Sequence, residues 1–252
     1  MKNISLIFIS FLLLASCKEN EPIIKPTKAT INITFDTRWQ DQDFAIEQVY
    51  YDNFNHRIRI DKFMSYISKL GLENSNGNFI ELKDFYLADY STDPTFTFEI
   101  DPGTYNKLLF GLGIPLAYNK NQDPAQYPST SPLSVSGSQG MFWFWDTGYI
   151  FTKFEGKADL SGTEGEPLLD NFLFHLGADT LYRKISFTNL AMNLQAGDTK
   201  SLTLRIRVDQ ILGTGNSEDI DIANENITHS NNSIALAIKV ADNYSNAFTL
   251  VE

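Results

Sequence analysis

The sequence predicts an all-β protein, and three observations lead to that prediction. The chain is rich in residues that favour strands, with 19 Phe and 11 Tyr among its 252 residues. Apolar and polar residues alternate in several segments, which is typical of strands with one buried face. Turn-forming pairs such as Asn76-Gly77 separate those segments. The expected fold is an antiparallel β-sandwich, Greek-key or immunoglobulin-like, with a long proline-rich loop and a short C-terminal helix.

The predicted strands begin at Thr30. Apolar residues occupy alternate positions in residues 31–35, 58–60, 96–100 and 202–208. The last stretch alternates most clearly, and it should bury Leu202, Leu204, Ile206 and Val208 while Arg205 and Arg207 face solvent.

Two segments interrupt the strand pattern. Residues 114–140 contain four prolines among Asn, Gln and Ser, which predicts a long loop, and loops of that length are usually functional or disordered. Near the C-terminus, Ile234, Ile238 and Ala241 recur at helical spacing, which predicts a short amphipathic helix.

The N-terminus has the pattern of a bacterial lipoprotein signal. A basic start precedes the apolar residues 4–15, which are too few to span a bilayer comfortably. The only cysteine, Cys17, ends a Leu-Ala-Ser-Cys sequence that resembles a lipobox. We therefore expect a signal peptide over residues 1–16, lipidation of Cys17, a tether over 17–29 and one domain over 30–252.

Residues 18–21, Lys-Glu-Asn-Glu, indicate where the lipoprotein is sent. A charged residue other than Asp after the cysteine resembles sorting to the outer membrane, and Lys followed by acidic residues resembles a surface-export tag of Bacteroidota lipoproteins. The expected location is the cell envelope, at the outer membrane, facing either the periplasm or the exterior.

Composition and missing motifs exclude several classes of function. The net charge of −11 argues against nucleic acid as a partner, since phosphate binding needs a basic face. A single cysteine excludes an internal disulfide framework and a cysteine-cluster zinc site. The sequence has no nucleophile elbow, zinc-protease helix, P-loop or dinucleotide fingerprint, so we expect no enzymatic activity.

An aromatic hairpin over residues 140–156 is the most unusual segment. Its first half should place Met141, Trp143 and Trp145 on one face and Phe142 and Phe144 on the other. Apolar residues on both faces require a second cover, which could be a loop, a ligand or a partner. From composition alone, cover by the 114–140 loop is the favoured interpretation.

Histidine is scarce, with three residues in the chain. His175 should lie on the strand face opposite Phe172 and Phe174. His229 precedes the predicted helix, and His56 reads as a turn residue. A lone strand histidine is more often a surface or hydrogen-bonded residue than a ligand.

Several of these motifs together resemble the MbnP-like copper-binding family. The resemblance is carried by the Gly-Met-Phe-Trp-x-Trp-x-x-Gly-Tyr-Ile-Phe-x-Lys-x-Glu-Gly hairpin and by Phe-x-Phe-His-x-Gly at residues 172–177. Weaker likenesses are the segments 60–68 and 101–105 and the Thr-His-Ser sequence at 228–230.

The resemblance implies a β-sandwich that binds copper outside the cytoplasm. In relatives, a tryptophan is oxidised to kynurenine by a dihaem enzyme of the MbnH/MauG type and helps histidine to bind the metal. Carried over residue by residue, this makes His175 the principal copper ligand, with Trp143 or its oxidised form beside it. Met141 and His229 are further candidates, and Trp145 also matches the tryptophan motif.

Other functions remain open at this point. The aromatic hairpin could be a stacking platform of a metal-free surface lipoprotein that binds glycan or protein. A purely structural envelope lipoprotein is a third interpretation.

Overall fold

The computed structural model describes residues 26–120, 122–144, 148–163, 165–215 and 218–251. The predicted signal peptide, Cys17 and most of the predicted tether lie outside the described residues, as does Trp145.

The described chain is built mainly from strands. Its strands are β1 (Ala29–Trp39), β2 (Gln42–Asp43), β3 (Val49–Tyr51), β4 (Arg57–Asn74), β5 (Phe79–Asp89), β6 (Thr95–Ile100), β7 (Gly103–Leu112), β8 (Phe142–Trp143), β9 (Gly148–Tyr149), β10 (Thr152–Asp159), β11 (Asp170–Leu176), β12 (Arg183–Phe187), β13 (Met192–Leu194), β14 (Thr199–Arg207), β15 (Ile227–Thr228) and β16 (Phe248–Val251). The α-helices are α1 (Leu116–Asn119) and α2 (Ile234–Asn246).

Two large sheets and one small hairpin organise these strands. The five-stranded sheet has the order β16-β14-β1-β2, with β6 also paired to β1. The nine-stranded sheet has the order β12-β7-β4-β10-β11-β15, with β13 on β7 and both β3 and β5 on β4. Strands β8 and β9 form the separate hairpin. The all-β, sandwich-like fold predicted from the sequence is confirmed.

Most strand pairings are antiparallel, but two are parallel, so both large sheets are mixed. Strand β1 runs parallel to β14, and β11 runs parallel to β15. Strands far apart in sequence are not joined by a tight turn, so nothing forces them to be antiparallel. The alternation within each strand reveals which face is buried but not the direction of its neighbour.

The core lies between the sheets and beneath α2. The inward positions of β14, namely Leu202, Leu204 and Ile206, are fully buried, as the alternation predicted. Phe110 of β7 meets Phe248 of β16 with ring centroids 5.3 Å apart, which joins the two large sheets.

The predicted C-terminal helix is present as α2, and Ala241 is buried as expected, but the rest of its buried face differs from the prediction. Ile234 and Ile238 are 42% and 39% exposed, so their assignment to the apolar stripe was wrong. The buried side chains of α2 are Leu236, Ala237, Val240, Ala241 and Tyr244. Tyr244 sets this orientation, because its hydroxyl lies 2.8 Å from both Ser65 Oγ and Tyr90 OH in the core.

Within the described part of the chain, neither helix has the length and apolar character needed to cross a bilayer.

Candidate metal centre

Strand β11 places His175 on the outer face of the nine-stranded sheet. Phe172 and Phe174 are fully buried, whereas the intervening Leu173 and the following His175 are only partly buried. This follows from the two-residue period of a strand. On the neighbouring strand β10, Lys153 is the antiparallel partner of His175.

Strand β15 brings His229 to His175. It pairs in parallel with β11, with Ile227 opposite Leu173 and Thr228 opposite Phe174. The residue that follows each member of the last pair is a histidine: His175 on β11 and His229 directly after β15. Their imidazole rings lie edge to face, with centroids 4.8 Å apart and planes at 74°.

The turn that carries His229 is fastened to the end of β11 by Ser230. The Ser230 hydroxyl accepts a hydrogen bond from Gly177 N at 2.9 Å and donates one to His175 O at 3.1 Å. The backbone N–H of His229 donates to Asn232 Oδ1 at 2.7 Å. Ser230 has a φ of 60°, an uncommon conformation that these side-chain hydrogen bonds hold in place.

Glu155 fixes the orientation of His175. The two residues lie on adjacent strands, and Glu155 Oε1 is 2.7 Å from His175 Nε2. The hydrogen bond from His175 lowers the pKa of Glu155, although burial opposes this, and the nearby charges of Lys153 and Lys62 lower it further. An ionised carboxylate only accepts hydrogen bonds, so in the neutral imidazole Nε2 carries the proton and Nδ1 keeps its lone pair.

His229 has the protonation state that a metal ligand needs. Although His229 is exposed as a whole, desolvation of its ring, and then the neighbouring His175, lower its pKa from 6.5, while Glu155 acts in the opposite direction. The imidazole is therefore mainly neutral at pH 7, and one of its ring nitrogens has a lone pair that can bind a metal.

The aromatic hairpin lies beside this pair. Phe142 pairs with Tyr149, and Trp143 pairs with Gly148. The benzene edge of the Trp143 indole rests on Gly177, two residues after His175, where an added Cβ would collide with it. At the base of the hairpin, Lys153 Nζ donates to Gly140 O at 3.3 Å.

The long loop covers the hairpin, as the favoured interpretation of the sequence proposed. Leu133 of the loop is buried, and its carbonyl accepts a hydrogen bond from Tyr149 OH at 2.5 Å. Phe142 and Trp143 are only 7% and 4% exposed, whereas Phe144 is 71% exposed.

The remaining candidate residues have different surroundings. Met141 is fully buried and pairs through its backbone carbonyl with Ile150 N. His56 lies in a turn, with Nδ1 3.0 Å from Asp52 Oδ2. Among the described residues, no group of three or more His, Cys, Asp or Glu side chains is arranged to hold a metal ion.

A protein-family model described as MbnP matches residues 28–233. The chain belongs to the MbnP family. This family is associated with copper. Among solved structures, MbnP from Methylosinus trichosporium is similar in fold, with a TM-score of 0.50 and 12% identity over 88% of this chain and 98% of that chain. No curated protein sequence matches the chain.

The histidine pair of this MbnP family member satisfies a simple geometric test for copper. A nitrogen–metal bond on the order of 2 Å puts a ring centroid about 3 Å from the ion, so two rings on one ion have centroids within about 6 Å. The observed separation of 4.8 Å is within that limit. Imidazole is a suitable donor for copper in both common oxidation states.

Sequence reasoning missed two residues that shape the site. Glu155 belongs to the hairpin motif of the MbnP family, but its contact with His175 depends on strand register. Ser230 directly follows His229, and its bridging role became visible only with the position of Gly177. The signal that could have identified Glu155 is its two-residue spacing from Lys153, which places both on the face that carries His175.

Proposed function

We propose that the protein is a non-enzymatic, lipid-anchored copper-binding protein of the cell envelope, and that His175 and His229 bind the metal. The observation that carries the proposal is the edge-to-face pair of imidazoles with centroids 4.8 Å apart. These two histidines come from separate segments and meet on the outer face of the sheet.

The arrangement around the pair favours copper over Mg²⁺ or Ca²⁺. Those harder cations prefer several carboxylate and water oxygens, whereas this site offers imidazole nitrogens. Glu155 is engaged with His175 Nε2, which leaves His175 Nδ1 as the donor to the metal. A carboxylate that orients a ligating histidine in this way is a recurring outer partner of metal sites.

Two further residues are proposed to contribute to the donor set. Trp143 lies next to Gly177, and its kynurenine form, produced by a dihaem partner of the MbnH/MauG type, would supply an aromatic amine and a carbonyl oxygen. The thioether of Met141 favours cuprous copper and would have to reach the ion from the buried side of the hairpin.

The metal-free platform is less well supported. A stacking platform needs exposed rings, but Phe142 and Trp143 are nearly buried. Phe144 is the exposed aromatic residue in the described part of the hairpin's first half.

The proposal is tested by metal analysis and intact-mass measurement of the protein purified from the cell envelope in which it matures. We expect about one copper per chain and, where the partner enzyme is present, a mass showing net replacement of one tryptophan carbon by oxygen. Protein that contains no copper after exposure to it in the envelope would contradict the proposal.

A further inference from the structure

A groove on the outer surface, separate from the histidine pair, has the features of a small-molecule site. It has a volume of about 490 Å³, within the usual range for ligand pockets. Strands β4, β5, β7 and β12, helix α1 and the residues just before α1 and β12 contribute its lining: Lys69, Phe79, Leu109, Phe110, Gly111, Pro115, Tyr118, Tyr182, Lys184, Ile185 and Ser186.

Two glycines allow aromatic rings of the groove to approach the backbone of the sheet closely. Tyr182 lies over Gly111, and Phe79 lies over Gly71, so an added Cβ at either glycine would collide with the ring above it. Phe79 is 46% exposed even though its ring contacts the sheet. Aromatic side chains therefore line the groove, and Phe79 among them is well exposed.

A bulge in β4 directs Lys69 to the wall of this groove. The register of β4 shifts between Leu70 and Gly71 against β5, and between Ser68 and Gly71 against β7. Lys69, within this irregular stretch, has a φ of 52°. Its ammonium lies 5.3 Å from the ring centroid of Tyr118. Bulges and left-handed residues in strands are enriched next to functional sites, where they redirect a side chain.

The two amines of the groove differ in their partners. Lys69 Nζ lies 3.1 Å from Glu81 Oε2 and also pairs with Asp84, so its charge is neutralised locally. Lys184 is exposed and forms no ion pair with any described residue. Lys184 is the register partner of Gly111, and both residues line the groove.

We propose that this groove binds a small aromatic monocarboxylate, with its rings between Phe79, Tyr118 and Leu109 and its carboxylate at Lys184. The four aromatic residues of the lining favour a flat aromatic body, since offset and edge-to-face ring contacts are favourable. The amine of Lys184, which forms no ion pair with a described residue, provides charge complementarity for a single anionic group.

Calorimetric titration of the metal-free full chain with 2-naphthoate tests this site. We expect saturable binding at one site, and Lys184→Gln should weaken it about two- to fivefold, as for an exposed ion pair. Neutral 2-naphthol should bind Lys184→Gln and the unaltered protein equally. Lys157→Gln is the matched control and should leave 2-naphthoate binding unchanged, because Lys157 pairs with Arg59, ten residues along β4 from Lys69.

A second variant tests the location independently of charge. Ser186→Phe should fill the exposed side of the groove and weaken 2-naphthoate binding more than tenfold, whereas Ser201→Phe, on an exposed position of β14, should not. No saturable binding, equal affinity in Ser186→Phe, or an unchanged affinity in Lys184→Gln would each overturn the proposal.

Discussion

The imidazole rings of His175 and His229 meet edge to face, with centroids 4.8 Å apart, because β15 lies parallel to β11. Ser230 fastens the two segments with one hydrogen bond to His175 O and another from Gly177 N. Glu155 holds Nε2 of His175 from the other side. The pair is therefore held by backbone pairing and by hydrogen bonds.

Glu155→Ala should change the preferred tautomer of His175. Without the carboxylate, Nε2–H loses its acceptor, and Nδ1 should carry the proton in a larger fraction of molecules. Copper affinity should fall about 10- to 100-fold, which is the usual effect of removing a residue that hydrogen-bonds to a metal-ligating histidine. The tautomer is measured by nitrogen-15 NMR of the metal-free protein.

Glu155→Gln is the conservative comparison, because its amide oxygen still accepts a hydrogen bond. It should keep the Nε2–H tautomer and most of the affinity. An unchanged His175 spectrum in Glu155→Ala would show that Glu155 does not set the tautomer.

Two neighbouring substitutions test the register of β14. Ile206 is fully buried, and Ile206→Ala should lower the free energy of unfolding by about 2–5 kcal/mol. Arg205 is 40% exposed and pairs with Asp36, so Arg205→Ala should cost at most about 1 kcal/mol. Urea unfolding measures both, and equal losses would contradict the assigned faces.

Asp36→Asn should show a stability loss that depends on pH. Burial raises the pKa of Asp36, but hydrogen bonds from Arg205 and Arg38 outweigh it, so the net pKa lies below the ordinary 3.8. A carboxyl group of lowered pKa stabilises the fold above its unfolded pKa, and this contribution disappears as pH falls through the folded pKa.

The stability difference between Asp36→Asn and the unaltered protein should therefore be present at pH 7 and should shrink steadily below about pH 4. Urea unfolding across this range provides the measurement. A difference that grew on acidification would have the wrong sign.

Cys17→Ser should release the protein from the membrane fraction. Anchoring by an attached lipid comes from burial of its methylenes, at about 0.8 kcal/mol each. Fractionation of cells followed by detection of the protein measures the effect. Equal membrane retention of Cys17→Ser would refute lipidation at this residue.

The strand faces could be predicted from the sequence because alternation reports burial directly. The inward positions of β14 and the outward position of His175 follow from that rule. The face of α2 could not be predicted from Ile234 and Ile238, since the core contact of Tyr244 determines the helix rotation.

The site was predictable only in part, for a related physical reason. The family resemblance pointed to His175 and His229, but their contact depends on a parallel pairing between distant segments. The same is true of Glu155, which reaches His175 across the β10–β11 register. Local patterns in a sequence do not specify which distant strands become neighbours.

The histidine pair itself is tested most directly by cuprous copper titration against a competing chelator of known affinity. His175→Ala and His229→Ala should each weaken binding by more than about 100-fold, since loss of a ligand should cost at least as much as loss of an outer partner. His56→Ala, whose ring pairs with Asp52 in a turn, is the matched control and should bind as the unaltered protein does. Copper affinity that stayed the same in both His175→Ala and His229→Ala would contradict the proposal that this pair binds the metal.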